Sequence, residues 1–257
     1  MSTAFKLPTR QVHLDFHTSP FILDVGVAFD GKEFAKTFKE AHVNSVTVFA
    51  KCHHGQCYYP TQTGTQHPAL KGQDLLGEQI EALHRVGIRC PIYTTVVWEE
   101  DAAQKHPEWR KMRRNGTFVP KVGSTNMKEL HAGGWEYNNF LHPDYQDYIE
   151  AHVSEICGRY DVDGFFFDIL FFETSGCWSE ESIKFREKHG LLANDLATFQ
   201  RFEATAQASF SKKFTKIVRS IKPKATIFYN AGNDMNVDIS FCRFCTIFPY
   251  ARAWKLT

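Results

Sequence analysis

The chain has 257 residues, 43% hydrophobic and 23% charged, with a formal net charge of +1. That composition belongs to a globular protein and excludes a disordered or fibrous one. The near-neutral balance also excludes the concentrated positive face of a nucleic-acid binder: the longest basic stretch, Arg110-Lys-Met-Arg-Arg114, reads as a solvated face. α/β barrels commonly run to about 250 residues as one domain, so residues 1–257 are read as a single domain.

The chain holds seven cysteines, an odd number, at Cys52, Cys57, Cys90, Cys157, Cys177, Cys242 and Cys245. They are scattered, several within apolar runs, which suits free thiols in a reducing compartment. Cys242 and Cys245 have CxxC spacing without a second ligand pair, so zinc is not expected there. The first residues carry no apolar h-region and no run approaches a membrane span. A cytoplasmic location is the resulting expectation, with no membrane partner.

In chain order, residues 12–16 alternate like a short strand. Residues 31–42 carry Phe34, Ala35, Phe38 and Ala41 at helical spacing. A β-branched strand follows at 43–50, then a helix at 74–86 ended by Gly87, then a strand at 88–97. The stretch from Trp98 to Leu141 is too long for an ordinary connection, and such loops are often functional. A helix opened by Pro143 covers 143–160. The most apolar strand is 162–170. Helices are predicted at 180–189 and 195–221, a fifth strand at 224–229 and a sixth at 245–248.

Strands alternating with helices argue for a parallel sheet, and the continuous apolar strand 164–172 argues for burial on both faces. No glycine-rich phosphate motif follows the first strand. Polar residues gather where strands end: His17, then His53 and His54, then Trp98 and Glu99, then Asp168, then Tyr229 and Asn230. In a (β/α)8 barrel that rim is the active-site face. The fold expected is therefore a TIM-type α/β barrel with only five to six of its strands visible, incomplete at its C-terminal end.

Asp168 ends the strand Asp163-Gly-Phe-Phe-Phe-Asp168, on the same side as Phe166 and Gly164. A carboxylate there is costly to bury unless it is hydrogen-bonded or used. Sugar hydrolysis through a glycosyl-enzyme intermediate needs such a fixed nucleophile. His17, His53 and His54 are candidates to hydrogen-bond sugar hydroxyls, and Tyr93, Trp98, Trp135, Tyr137 and Tyr229 to present aromatic faces to sugar C–H faces. A retaining enzyme also needs a second carboxyl about 5 Å from the first. Glu173 is the candidate acid/base, with Glu99 and Glu100 as other carboxylates near strand ends.

Lys51-Cys-His-His-Gly55 resembles the Lys-His-His-Asp-Gly run of the α-L-fucosidases, and the segment from Tyr160 to Asp168 resembles their fourth strand. A closer resemblance is to a group of glycosyl hydrolases related to them, which open with a His-Leu-Asp-Phe-His strand, here His13 to His17, and carry a Trp- and Asn-containing loop, here Gly134 to Asn139. The resemblance covers residues 10–232. It implies a TIM barrel, a retaining mechanism with Asp168 as nucleophile, His17, His53 and His54 as substrate contacts, and neither metal nor organic cofactor. Gly55 stands where the fucosidases often have Asp, and after Asn233 the match dissolves.

The function expected is a retaining, fucosidase-like glycoside hydrolase acting on a terminal sugar, with a carbohydrate as partner and a homo-oligomer compatible. Two readings compete with it. One is a truncated carbohydrate-binding remnant lacking the acid. The other is a metal-dependent hydrolase built on His53, His54 and Asp168.

Overall fold

A computed structural model describes residues 8–120, 135–172 and 176–231. Its elements in chain order are β1 (Gln11–His13), α1 (Gly31–Glu40), β2 (Ser45–Lys51), β3 (Gln56–Cys57), β4 (Thr65–Gln66), α2 (Leu75–Arg85), β5 (Pro91–Thr95), α3 (Glu100–Lys105), α4 (Pro143–Arg159), β6 (Gly164–Asp168), α5 (Glu180–His189), α6 (Leu196–Ile221) and β7 (Thr226–Tyr229). Two 3-10 turns, Pro68–Leu70 and Pro107–Trp109, lie in the connections.

The helices start where local chemistry satisfies their first amides. Asp30 accepts from Lys32 and Glu33 at the head of α1, Asp74 from Gly77 at α2, and Asp195 from Thr198 at α6. Pro143 opens α4, where its missing N–H costs nothing. Gly190 ends α5 in the left-handed region at φ 66°.

Among the described residues, all the strands join one seven-stranded sheet. Its main course is β1-β2-β5-β6-β7, each neighbouring pair parallel. The short β3 pairs antiparallel with the end of β2, and β4 pairs with β3. The predicted strands and helices recur within a few residues of their expected ends. The short strands β3 and β4 and the helix α3 were not anticipated, because two or six residues carry no readable period. The expected sixth strand at 245–248 lies outside the described residues.

Period two splits the sheet into two faces. One face gives Val46, Val48, Ile92, Phe165, Phe167 and Ile227 to the main core, where they meet helix residues such as Ile149, Val153, Phe210 and Phe214. Burying a side chain such as Phe167 contributes about 1.5–3 kcal/mol. The other face carries one ring from each main strand. His13 meets Phe49 at 5.7 Å, Phe49 stacks on Tyr93 at 3.7 Å, Tyr93 lies 5.8 Å from Phe166, and Phe166 lies 4.6 Å from Phe228. Asp168 shares this ring-bearing face, two residues beyond Phe166.

At the base of β6 a glycine is required by contact. A Cβ on Gly164 would lie 2.3 Å from Thr226 Oγ1 and 2.4 Å from its carbonyl oxygen, so a side chain there would push β7 away. Among the described residues, no helix is long and apolar enough to cross a membrane.

Candidate active site

The carboxyl ends of β2, β5, β6 and β7 converge on Asp168. Its Oδ2 accepts the phenolic proton of Tyr93 at 2.6 Å, and its Oδ1 accepts from Asn230 Nδ2 at 2.6 Å. Burial raises its pKa above the ordinary aspartate value; the hydrogen bonds from Tyr93 and Asn230, nearby His13 and the Ile169 amide oppose the rise. The next residue, Ile169, has φ 56°. A β-branched residue occupies that left-handed region only when its surroundings impose it, and such strain gathers at functional sites.

His53 is the second element. Thr95 Oγ1 donates to the Trp98 carbonyl at 2.6 Å, which uses its one proton. The same oxygen must therefore accept from His53 Nδ1, 2.7 Å away. This assigns the Nδ1–H tautomer and leaves Nε2 with its lone pair bare, 3.6 Å from Asp168 Oδ2 and 3.4 Å from the Tyr93 hydroxyl. Burial, followed by neighbouring His17, holds the His53 pKa well below the usual histidine value, so the ring is neutral.

The other two histidines have no free ring nitrogen. His17 Nδ1 accepts the His53 amide at 3.1 Å, and its Nε2 lies 3.0 Å from Asp15 Oδ1. That hydrogen bond from His17 holds the Asp15 carboxyl below its ordinary value. The His17 ring lies flat on His53, with centroids 3.9 Å apart and planes 7° from parallel. His54 Nδ1 lies 3.3 Å from Glu100 Oε2, and its Nε2 accepts from Trp135 Nε1 at 3.4 Å. The sequence expects all three to contact sugar hydroxyls; in the structure both ring nitrogens of His17 and of His54 are engaged by neighbours, and His53 turns Nε2 towards Asp168.

Trp98 and Trp135 stack at 5.8 Å, and each lies against the His53 ring, at 5.1 and 4.7 Å. They form an aromatic wall beside the carboxylate. Tyr93 and Asn230 each donate to Asp168. Tyr229 is not brought to the site. Its hydroxyl bonds Thr215 Oγ1 at 3.0 Å and the Ser211 carbonyl at 3.1 Å on α6, and its ring stacks on Phe167. Alternation along β7 sends Phe228 to the ring-bearing face and Tyr229 to the helix face.

Glu99 is not available as an acid. It forms a fully buried ion pair with Lys51 at 2.6 Å and accepts the hydroxyls of Tyr145 and Tyr148 at 2.8 and 2.7 Å. A register shift between Phe49 and Lys51 explains why Lys51 is there rather than in the cleft: the bulge turns it to the α4 side and lets the chain re-enter the site at His53. Glu173 lies outside the described residues. Among the described residues, no group of three or more His, Cys, Asp or Glu could hold a metal ion.

A mostly parallel α/β sheet with a shielded carboxylate, a neutral imidazole and stacked indoles at its strand ends has the make-up of a TIM-like glycosidase domain. The family model described as hypothetical glycosyl hydrolase 6 matches residues 30–169, more than half of the chain, and the chain belongs to that family. It is similar to α-L-fucosidase isoenzyme 2 from Paenibacillus thiaminolyticus, with 36% identity and a TM-score of 0.75 over 89% of this chain and 33% of that one. The chain thus spans about a third of that fucosidase's length. The PgaB (BpsB) glycoside hydrolase domain from Bordetella bronchiseptica shares the fold at 15% identity and a TM-score of 0.62, covering 86% of this chain and 64% of that one. A hypothetical protein from Ruminiclostridium thermocellum shares it at 12% identity and a TM-score of 0.52, covering 78% and 90%. No curated protein matches the chain.

Proposed function

We propose that this chain is a retaining, α-L-fucosidase-like glycosidase domain built on a TIM-type barrel, with Asp168 as its nucleophile. The observation that carries the reading is the Asp168 carboxylate, fixed through both oxygens at a strand end beside an aromatic wall. Asp168 attacks the anomeric carbon of a terminal sugar as the leaving group departs, forming a glycosyl-enzyme ester that water then hydrolyses. Tyr93 and Asn230 fix the line of attack. The Tyr93 proton steadies the carboxylate again as the ester breaks.

The bare Nε2 of His53 accepts a hydroxyl proton from the sugar, and the indoles of Trp98 and Trp135 stack on its C–H face. Glu173, five residues beyond Asp168 in the chain, is the proposed acid/base. The 36% identity to the Paenibacillus α-L-fucosidase supports a fucose-like sugar.

Labelling with an activated 2-fluoro glycoside tests the reading. A covalent adduct is expected on Asp168, absent from Asp168→Asn, whose hydrolysis of an aryl glycoside should fall by about three orders of magnitude or more. Undiminished hydrolysis by that variant would sink the proposal. An adduct without turnover would support instead a binding remnant that lacks its acid.

A further inference from the structure

One buried acid has no part in that chemistry. Glu203 sits on α6, only 4% exposed. Its Oε1 accepts the amide of Phe172 at 2.7 Å. The carbonyl of the same residue accepts from Lys111 Nζ, itself buried. One turn along α6, Gln207 Nε2 donates to the carbonyls of Leu170 and Ala231, each at 2.9 Å. The Leu170 amide in turn donates to the Asn230 carbonyl at 2.8 Å. Asn230 is the residue whose side chain holds Asp168 Oδ1. Residues 170–172 are therefore gripped at three backbone groups from α6 and Lys111, directly after the residue that holds the unfavourable φ.

We propose that Glu203 is a positioning residue for the segment after the nucleophile: through the Phe172 amide its carboxylate holds residues 170–172 in the conformation that aims Asp168, and protonation slackens the hold. The catalytic consequence rests on the reading of Asp168 as nucleophile; the grip on the segment does not. A charge-assisted hydrogen bond is roughly twice as strong as a neutral one, so the ionised form is the gripping form. Burial pushes the carboxyl up to about 7, against the pull of the Phe172 amide, Lys111, Gln207 and Arg186. The charged groups facing it are Lys111, from the segment after the second 3-10 turn, and Arg186, from α5; Gln207 is its polar neighbour on α6.

Two measurements test the proposal. Amide exchange of Phe172, corrected at each pH for the intrinsic rate, should show about tenfold more protection near pH 8 than near pH 6 in the wild type. Glu203→Gln, which keeps the shape and a neutral acceptor, should show protection that does not change with pH. For an aryl glycoside, the wild-type kcat should rise about threefold or more through pH 7, while Glu203→Gln gives a flat profile there with KM within about twofold of wild type. Glu203→Ala should lose the protection at both pH values. The same pH-dependent protection in Glu203→Gln as in wild type would overturn the proposal. If exchange behaves as expected but the wild type neither labels nor turns over, the glycosidase reading fails and the grip on residues 170–172 stands.

Discussion

Tyr93 and Asp168 sit on adjacent parallel strands, and the phenol of one donates to the carboxylate of the other at 2.6 Å. Sheet register produces the pair: Tyr93 lies opposite Phe166 and Thr95 opposite Asp168, so the long phenol reaches forward one step along the same face. Hydrogen bonds to charged groups contribute about 1.5–3 kcal/mol. Tyr93→Phe should therefore lower kcat/KM on an aryl glycoside by about 10- to 100-fold. This bond opposes the burial that raises the Asp168 pKa. Its loss should move the acidic limb of the kcat/KM profile to higher pH; an unmoved limb would show that Asp168 is not the group titrating there.

Asp168 also has a stability signature. Its folded pKa is raised, chiefly by burial. For an acid of that kind, the contribution to stability is fully present below the unfolded value and lost as pH rises through the folded one. Asp168→Asn, neutral throughout, should melt above the wild type at pH 7, by about 2–4 °C for each kcal/mol recovered. Thermal scans should show the gap closing as pH falls towards the ordinary aspartate value. A gap that widens on acidification would contradict the sign.

Lys51 and Glu99 lie 2.6 Å apart with neither side chain exposed. Removing one partner of a buried pair costs about 3–5 kcal/mol, because the other charge is left unpaired. Lys51→Met should lower stability by that amount in urea denaturation, and Lys51→Met combined with Glu99→Leu should recover much of it. Glu99→Gln should destabilise the chain without altering how the rate depends on leaving-group pKa. A steeper dependence would make Glu99 the acid after all.

His53 stays neutral because burial holds its pKa well below the usual value. Replacing it with alanine should raise KM by about tenfold, the equivalent of about 1.4 kcal/mol, and lower kcat less. It should leave the profile between pH 6 and 8 without any change that reflects imidazole titration. Activity should survive exhaustive chelation, since the proposed chemistry runs on Asp168. Loss of activity on chelation with recovery on adding a divalent ion would revive the metal reading of His53, His54 and Asp168.

Local chemistry was enough for much of this. Helical spacing, the Gly87 stop, Pro143 at a helix start and the apolar run before Asp168 placed the helices and the main strands from the sequence, because each depends on residues within a turn or two of one another. Period two placed Asp168 on the face of Phe166 for the same reason. Tertiary structure decided which partners that carboxylate has. Tyr93, Asn230 and His53 come from three other strand ends. Nothing in the spacing says that the first two spend a donor each on Asp168, or that His17 and His54 use up their ring nitrogens on neighbours. The bulge that turns Lys51 onto Glu99, the side of β7 on which Tyr229 falls, and the hold of Glu203 on Phe172, 31 residues away, depend on how strands and helices pack. Only the assembled sheet fixes those contacts.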